Sequence, residues 1–183
     1  LVAGIVDAFQ VAGLRAFGPA QAAAQLEGSK TFAKQFMIEE GIPTAPAAVF
    51  TDYHAALMYL GQLDWAAVDG VVVKADGMAA GKGVLVCDHR AEAEAALKQI
   101  MVDRAFGAAG DSVLIETRLE GEEASLLAFC DGTTVVPMLP ARDYKRAFDG
   151  DGGLNTGGMG GYCPSPHLTP EMVDEATRRV LQP

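Results

Sequence analysis

The sequence predicts an α+β fold, and three observations predict it. Stretches with helical apolar spacing alternate with short apolar runs of strand length. A glycine-rich loop at 77–83 lies between two such runs, so both neighbours read as strands of one flexible hairpin. A second hairpin is signalled by Asp131-Gly132 inside "ASLLAFCDGTTVVPML". At 183 residues, half of them apolar, the chain can bury a core without disulfides.

In chain order, residues 1–12 have helical spacing and end at Gly13, a C-cap. "LRAFG" reads as a short strand ended by Gly18-Pro19, and "PAQAAAQLEG" as a short alanine-rich helix with proline at its start. The next helix has Ser29 as N-cap and sets Phe32, Phe36 and Met37 on one face. "IPTAPAAVF" crosses into a strand, and Thr51 introduces a helix over 52–63. Strands over 70–75 and 83–87 flank the glycine loop, and an alanine- and glutamate-rich helix covers 90–103. "SVLIETRL" is an apolar strand, followed by the second hairpin. "ARDYKRAFDGDGGLNTGGMGGYCPSP" has little periodicity, and a loop of that length in a compact domain is usually functional or disordered. A final helix runs from Pro170 to about Leu181.

The net charge of −10 argues against a nucleic-acid partner, which requires a basic face. It leaves room for a phosphate ligand, because a few placed cations and backbone N–H groups suffice locally. Three scattered cysteines, Cys87, Cys130 and Cys163, form neither a disulfide framework nor a zinc motif, and read as thiols in a reducing cytoplasm. No apolar window is long enough to span a membrane. The chain opens on "LVAGIVDAFQ" without methionine and stops at "RRVLQP", so both ends read as cut from a longer polypeptide.

The loop in "VVVKADGMAAGKGVLV" decides the chemistry. A P-loop needs four residues between its glycines, Ser or Thr after the lysine, and a following helix. "GMAAGKG" has three residues between glycines, Gly83 in place of the hydroxyl, and a strand after it. The dinucleotide fingerprint also fails, because no helix follows. What remains is a hairpin flap whose N–H groups can fold over phosphates, with Lys74 as a fixed cation on the strand before it. Read alone, the segment serves equally well as a glycine-rich hairpin with a surface lysine.

Downstream, "LIETRLEGEEASLL" suits an adenine site, with main-chain groups for the purine edge and a carboxylate for the ribose hydroxyls. Alone it would be a solvated acidic turn, and Lys30 in "EGSK" an exposed lysine. Together, the lysine, the lysine with its flap, and the hinge and ribose glutamates resemble the ATP-grasp superfamily, in which two α+β subdomains hold ATP between them. "FGPAQAAAQLEGSK", "VVVKADGMAAGKGV", "LEGEEAS" and "NTGGMGGY" narrow this to the bacterial phosphoribosylamine–glycine ligase family. The strings run over residues 17–162, in the family's order.

The resemblance implies an ATP-grasp fold incomplete at both ends. Residues 47–119 would form the flap subdomain, and 1–46 and 120–183 an incomplete core carrying a substrate loop. It implies an ATP-dependent ligase that joins glycine to 5-phosphoribosylamine through a glycyl phosphate, giving glycinamide ribonucleotide, ADP and phosphate. ATP would be bound by Lys30, Lys74, Gly77, Gly81, Lys82, Gly83, Glu116, Leu119, Glu122 and Glu123. Of these, Lys30 and Lys74 meet the α- and β-phosphates, Lys82 the outer phosphates, and Glu116 and Leu119 frame adenine through backbone groups. Glu123 takes the ribose, with Glu122 as its competitor. Lys145, Arg146 and Asn155 are the implied catalytic groups, and Asp143, Thr156, Gly157 and Gly158 the substrate-binding ones. Without the family, "RDYKR" would be an ordinary charged run. Nothing about a bland surface loop, however, requires four glycines around Asn-Thr and Met.

Magnesium or manganese is also implied, with ligands in a carboxy-terminal part beyond this chain and none within it. The amino-terminal domain is likewise beyond it, so the 183 residues alone are expected to be inactive. Leu154 stands where relatives usually carry proline, which bears on the rigidity of the loop. Two other readings remain at this point: another ATP-grasp carboxylate–amine ligase, such as a biotin carboxylase relative, and a nucleotide-binding module without chemistry. The histidines fit no pattern and receive no role.

Overall fold

The structure, a computed structural model, describes residues 1–79, 82–150 and 152–182, and at Leu154 and Asn155 the main chain alone. The chain divides into two compact units. One comprises Leu1–Met37, Ala45–Ala79 and Gly83–Arg118; the other contains Ile38–Thr44 and Leu119–Pro183, and Lys82 groups with it.

The first unit is built on an antiparallel sheet of order β1-β4-β2-β3: β1 is Ala47–Phe50, β2 Val71–Ala75, β3 Val84–Cys87 and β4 Val113–Thr117. Helices α4 (Tyr53–Gln62) and α5 (Arg90–Leu97, widening into a π-type turn over Lys98–Val102) supply the apolar partners. Ala56, Leu60, Leu97 and Ile100 pack with Val71, Val73, Val113 and Ile115, all buried. The strand period of two decides what faces the opposite side. Val73 and Ala75 enter the core, so Lys74 between them projects from the other face, as does Glu116 beside Ile115. In the register Lys74 is opposite Leu114, which puts Glu116 on the diagonal, within reach of a long side chain. Cys87 is buried in this unit, and burial pushes its thiol up to about 11.

Helices α1 (Ile5–Val11), α2 (Gln25–Gly28) and α3 (Lys30–Glu39) precede the sheet, α3 continuing two residues past the first unit. Several local expectations change here. Residues 14–17 form no strand and pair with none among the described residues, since a short run without a partner cannot satisfy a ladder. The alanine-rich segment is a run of turns before α2. Asp52, not Thr51, caps α4, its Oδ1 accepting from the Ala55 amide at 2.7 Å. Ser29 caps α3 as expected, its Oγ accepting from the Phe32 amide at 3.0 Å. The buried residue of α3, however, is Lys34, while Phe32 is exposed.

In the second unit, β5 (Ala128–Cys130) and β6 (Val135–Pro137) form the expected hairpin; the Asp131 carboxylate accepts from the Thr133 and Thr134 amides, and this holds its proton affinity below the usual carboxylate range. The segment without periodicity is not structureless. Strands β7 (Arg142–Asp143) and β10 (Gly161–Tyr162) pair, as do β8 (Arg146–Phe148) and β9 (Gly152–Asn155). Strands of two to four residues rich in glycine carry no apolar alternation, so periodicity could not reveal them. Helix α6, Pro170–Ala176, is capped by Thr169 and continues as a π-type turn to Leu181. No helix among the described residues is long and apolar enough to cross a membrane.

Candidate functional site

In the first unit the β2–β3 hairpin closes with the Ala75 amide donating to the Gly83 carbonyl at 2.8 Å, so its loop begins at Asp76. Gly77 has a φ of +79°, which a side chain would strain. Gly83 is buried, and a Cβ there would lie 2.7 Å from the Ala79 Cβ. Lys82 is exposed, and Gly81 lies outside the described residues.

Lys30, on the first turn of α3, reaches the base of this hairpin, its Nζ donating to the Gly77 carbonyl at 2.9 Å. Burial pushes its ammonium below the usual lysine range. The Lys74 charge adds to that shift, while Asp76 and Glu27 oppose it. Two cations therefore repel across a partly desolvated space at the foot of a glycine hairpin.

Behind Lys74 lies an ion-pair triad. The Glu116 carboxylate takes Lys74 Nζ on Oε2 at 2.5 Å and Lys34 Nζ on Oε1 at 3.2 Å, and Lys34 also donates to the Ala45 carbonyl at 2.8 Å. The Lys34 and Glu116 side chains are 4% and 10% exposed, that of Lys74 25%. Lys74 is thus the outer member, held in direction by a buried carboxylate. The Glu116 main chain sits inside the sheet, in register with both Ala47 and Val72. Sequence reasoning missed Lys34; the signal was its place four residues after Lys30, one helical turn along the same face.

In the second unit Leu119 is exposed. Glu122, Glu123, Asp143 and Lys145 line one pocket of about 270 Å³ with Ala124 and Ser125. Glu122 is paired with the Arg142 guanidinium, which also meets His167 Nε2 at 2.9 Å and lies over the Tyr144 ring, 5.5 Å from its centroid. Glu123 makes no ion pair among the described residues. Arg146 is set apart from Asp143 and Lys145. With Arg142, Tyr144 and Phe148 it lines another pocket, of about 450 Å³, and its Nη1 donates to the Gly153 carbonyl at 2.7 Å. Asp143 and Lys145 thus serve one pocket, and Arg142, Tyr144 and Arg146 the other.

The glycine-rich segment runs back along that stretch: the Thr156 amide donates to the Lys145 carbonyl at 2.7 Å, and the Gly158 amide to Thr156 Oγ1 at 3.1 Å. A side chain on Gly158 would meet the Asp143 carboxylate, and Gly157 is exposed. The Asn155 side chain lies outside the described residues. Among the described residues no three His, Cys, Asp or Glu are grouped so as to hold a metal ion.

The family described as phosphoribosylglycinamide synthetase, ATP-grasp (A) domain, matches residues 28–183. A phosphoribosylamine–glycine ligase from Allochromatium vinosum is 53% identical over the whole chain, which spans 42% of that relative's length. Among solved structures, a phosphoribosylamine–glycine ligase from Thermotoga maritima superposes with a TM-score of 0.75 at 35% identity, over 90% of this chain and 43% of that one. The biotin carboxylase domain of Hydrogenobacter thermophilus 2-oxoglutarate carboxylase, in complex with MgADP and bicarbonate, shares the fold at 20% identity and a TM-score of 0.73, over 96% of this chain and 37% of that one.

Proposed function

The chain belongs to the phosphoribosylglycinamide synthetase ATP-grasp (A) domain family, and from that premise we propose that it is the nucleotide-binding part of a ligase that joins glycine to 5-phosphoribosylamine. The observation that carries the reading is the pair of ammonium groups, Lys30 and Lys74, at the foot of the glycine hairpin. A polyphosphate between them relieves their repulsion and the desolvation of Lys30. The hairpin is the flap of a subdomain over 47–119, and its glycines, Gly77, Gly81 and Gly83, let main-chain N–H groups close on the phosphates, with Lys82 on the outer ones. Leu119, which is exposed, offers main-chain groups to adenine, whereas the main chain of Glu116 is paired on both sides within the sheet and its carboxylate orients Lys74. Glu123 takes the ribose hydroxyls, since Glu122 is engaged by Arg142.

The reaction follows from the chemistry of a carboxylate, a poor acyl donor. A glycine carboxylate oxygen attacks the γ-phosphorus, ADP leaves, and glycyl phosphate forms. The amine nitrogen of 5-phosphoribosylamine then attacks the acyl carbon, loses a proton, and phosphate departs carrying the former carboxylate oxygen. Asp143, Lys145 and Thr156, with the Gly157 and Gly158 amides and Asn155, receive the acyl phosphate and the amine, and Arg146 supplies charge from its separate side. A divalent metal, which family membership implies, would supply charge neutralisation at the phosphates, and its ligands are expected in the flanking regions. The three free thiols and the acidic charge fit a cytoplasmic enzyme of small-molecule substrates.

Glycine labelled with ¹⁸O in its carboxylate tests this reading in the protein that carries this chain with the flanking regions of its relatives. One label per turnover should appear in inorganic phosphate. Label retained wholly in the amide and unreacted glycine would overturn the acyl phosphate.

Lys30 gives a pH dependence. Its ammonium is penalised in the free protein and stabilised by bound phosphate. Nucleotide affinity is therefore full below the lowered pKa and falls as pH rises through it, starting below the ordinary lysine value of about 10.4. Calorimetry in buffers of different ionisation enthalpy should show proton uptake on binding over that range. Lys30→Arg, which keeps its charge, should abolish both effects. Affinity independent of alkaline pH would contradict the assignment.

A further inference from the structure

Asp76 immediately precedes the first flap glycine, and the proposed function gives it no role. Its carboxylate is turned away from the hairpin, onto the start of α3. Oδ1 accepts from the Thr31 amide at 3.1 Å and, with Oδ2 at 3.2 Å, takes the Ser29 hydroxyl at 3.1 Å. Ser29 Oγ accepts in turn from the Phe32 amide, so the hydroxyl spends its lone pair on the helix cap and its proton on Asp76. The Lys30 ammonium returns the connection by donating to the carbonyl of Gly77, the residue after Asp76. The Asp76 amide donates to the Ser112 carbonyl at 3.0 Å, just before β4. Two segments some 45 residues apart are thereby joined by a carboxylate that caps one and begins the loop of the other. An anionic acceptor at exposed helix amides is favourable, and a charged acceptor is stronger than a neutral one.

We propose that Asp76 is a positioning residue that ties the hinge of the glycine hairpin to the helix carrying Lys30, so that Lys30, Lys74 and the flap's base form one rigid ledge for the nucleotide's phosphates. The hinge thereby keeps a fixed foot. Separation of the tie lets Lys30 and the hinge drift independently, and phosphate then has to order both. The inference rests on the nucleotide-binding reading, and its test is built to separate the two.

The test compares Asp76→Ala, which removes the carboxylate's bonds to Ser29 and Thr31, with Asp76→Asn, whose amide oxygen can still accept from Thr31 and Ser29. In the protein with its flanking regions, Asp76→Ala should weaken ATP binding about tenfold, the scale of one lost cap and its charge-assisted bond. Asp76→Asn should lie within about threefold of the parent, since the geometry survives. Amide exchange without nucleotide gives the second readout: the Thr31 amide, bonded to the carboxylate, and the Ala75 amide at the hinge should exchange faster in Asp76→Ala and near the parent rate in Asp76→Asn. Should Asp76→Ala not fold, Ser29→Ala, which removes the hydroxyl's bond to the carboxylate together with its cap on α3 and leaves the Thr31 bond, should show both changes in smaller measure. Parent-like ATP affinity and exchange in Asp76→Ala or in Ser29→Ala overturn the inference. Asparagine as damaging as alanine also overturns it, by showing that charge alone matters. Failure of the parent itself to bind ATP defeats the nucleotide reading, and the exchange arm then judges the tie by itself.

Discussion

Glu116→Gln is expected to cost about 3–5 kcal/mol of folding stability, the range for breaking a buried ion pair by removing one partner. The carboxylate is the only anion of the triad, and its loss removes the counter-charge beside a Lys34 side chain that is 4% exposed. Lys74 is more exposed and can turn towards water, so the loss is concentrated at Lys34. The pair Lys34→Met with Glu116→Leu should recover most of the loss, because apolar groups of similar volume replace a buried pair at little net cost. Denaturant unfolding of the three proteins measures this. A Glu116→Gln protein as stable as its parent would show that water reaches the triad and that the buried carboxylate holds nothing in place.

Lys74→Met should lower kcat/KM for ATP by about 10²–10³-fold, as for other placed electrostatic groups in desolvated sites. Its effect on stability should be small by comparison, since Glu116 keeps Lys34. The loss should appear in kcat as well as KM, because charge on the phosphates changes as the γ-phosphoryl group moves. Lys74→Arg should not restore the rate: the guanidinium is broader than the ammonium that fits beside Glu116 at 2.5 Å. Steady-state kinetics decides it, and a loss confined to KM would reduce Lys74 to an anchor for ground-state binding.

The parts that were legible in the sequence are those where one residue type has one use. "VVVKADG" declares a strand with a cation on its outer face, because alternation places Lys74 opposite to Val73 and Ala75. Asp131-Gly132 declares a tight turn, and Ser29 before an apolar run declares a helix start. The failures have physical reasons too. On α3 the apolar pattern selects Phe32 and Phe36, yet Lys34 is the buried residue. A lysine is driven inward only by a carboxylate on β4, eighty-two residues later, and single-sequence periodicity cannot register such a partner. Thr51 and Asp52 are both cap residues, and the sequence offers no means of choosing between them. In 142–162 short glycine-bearing strands pair without apolar alternation, and so leave no apolar signature. In the same stretch Lys145 and Arg146, neighbours in the chain and alike in charge, serve different pockets, which charge alone does not reveal.

Release of ADP by the protein that carries this chain with the flanking regions of its relatives tests the ligase assignment most directly. ADP should accumulate from ATP only when glycine and 5-phosphoribosylamine are both present, in equal amount to the glycinamide ribonucleotide formed. ADP release that is indifferent to glycine, or supported equally by another carboxylate, would contradict the account.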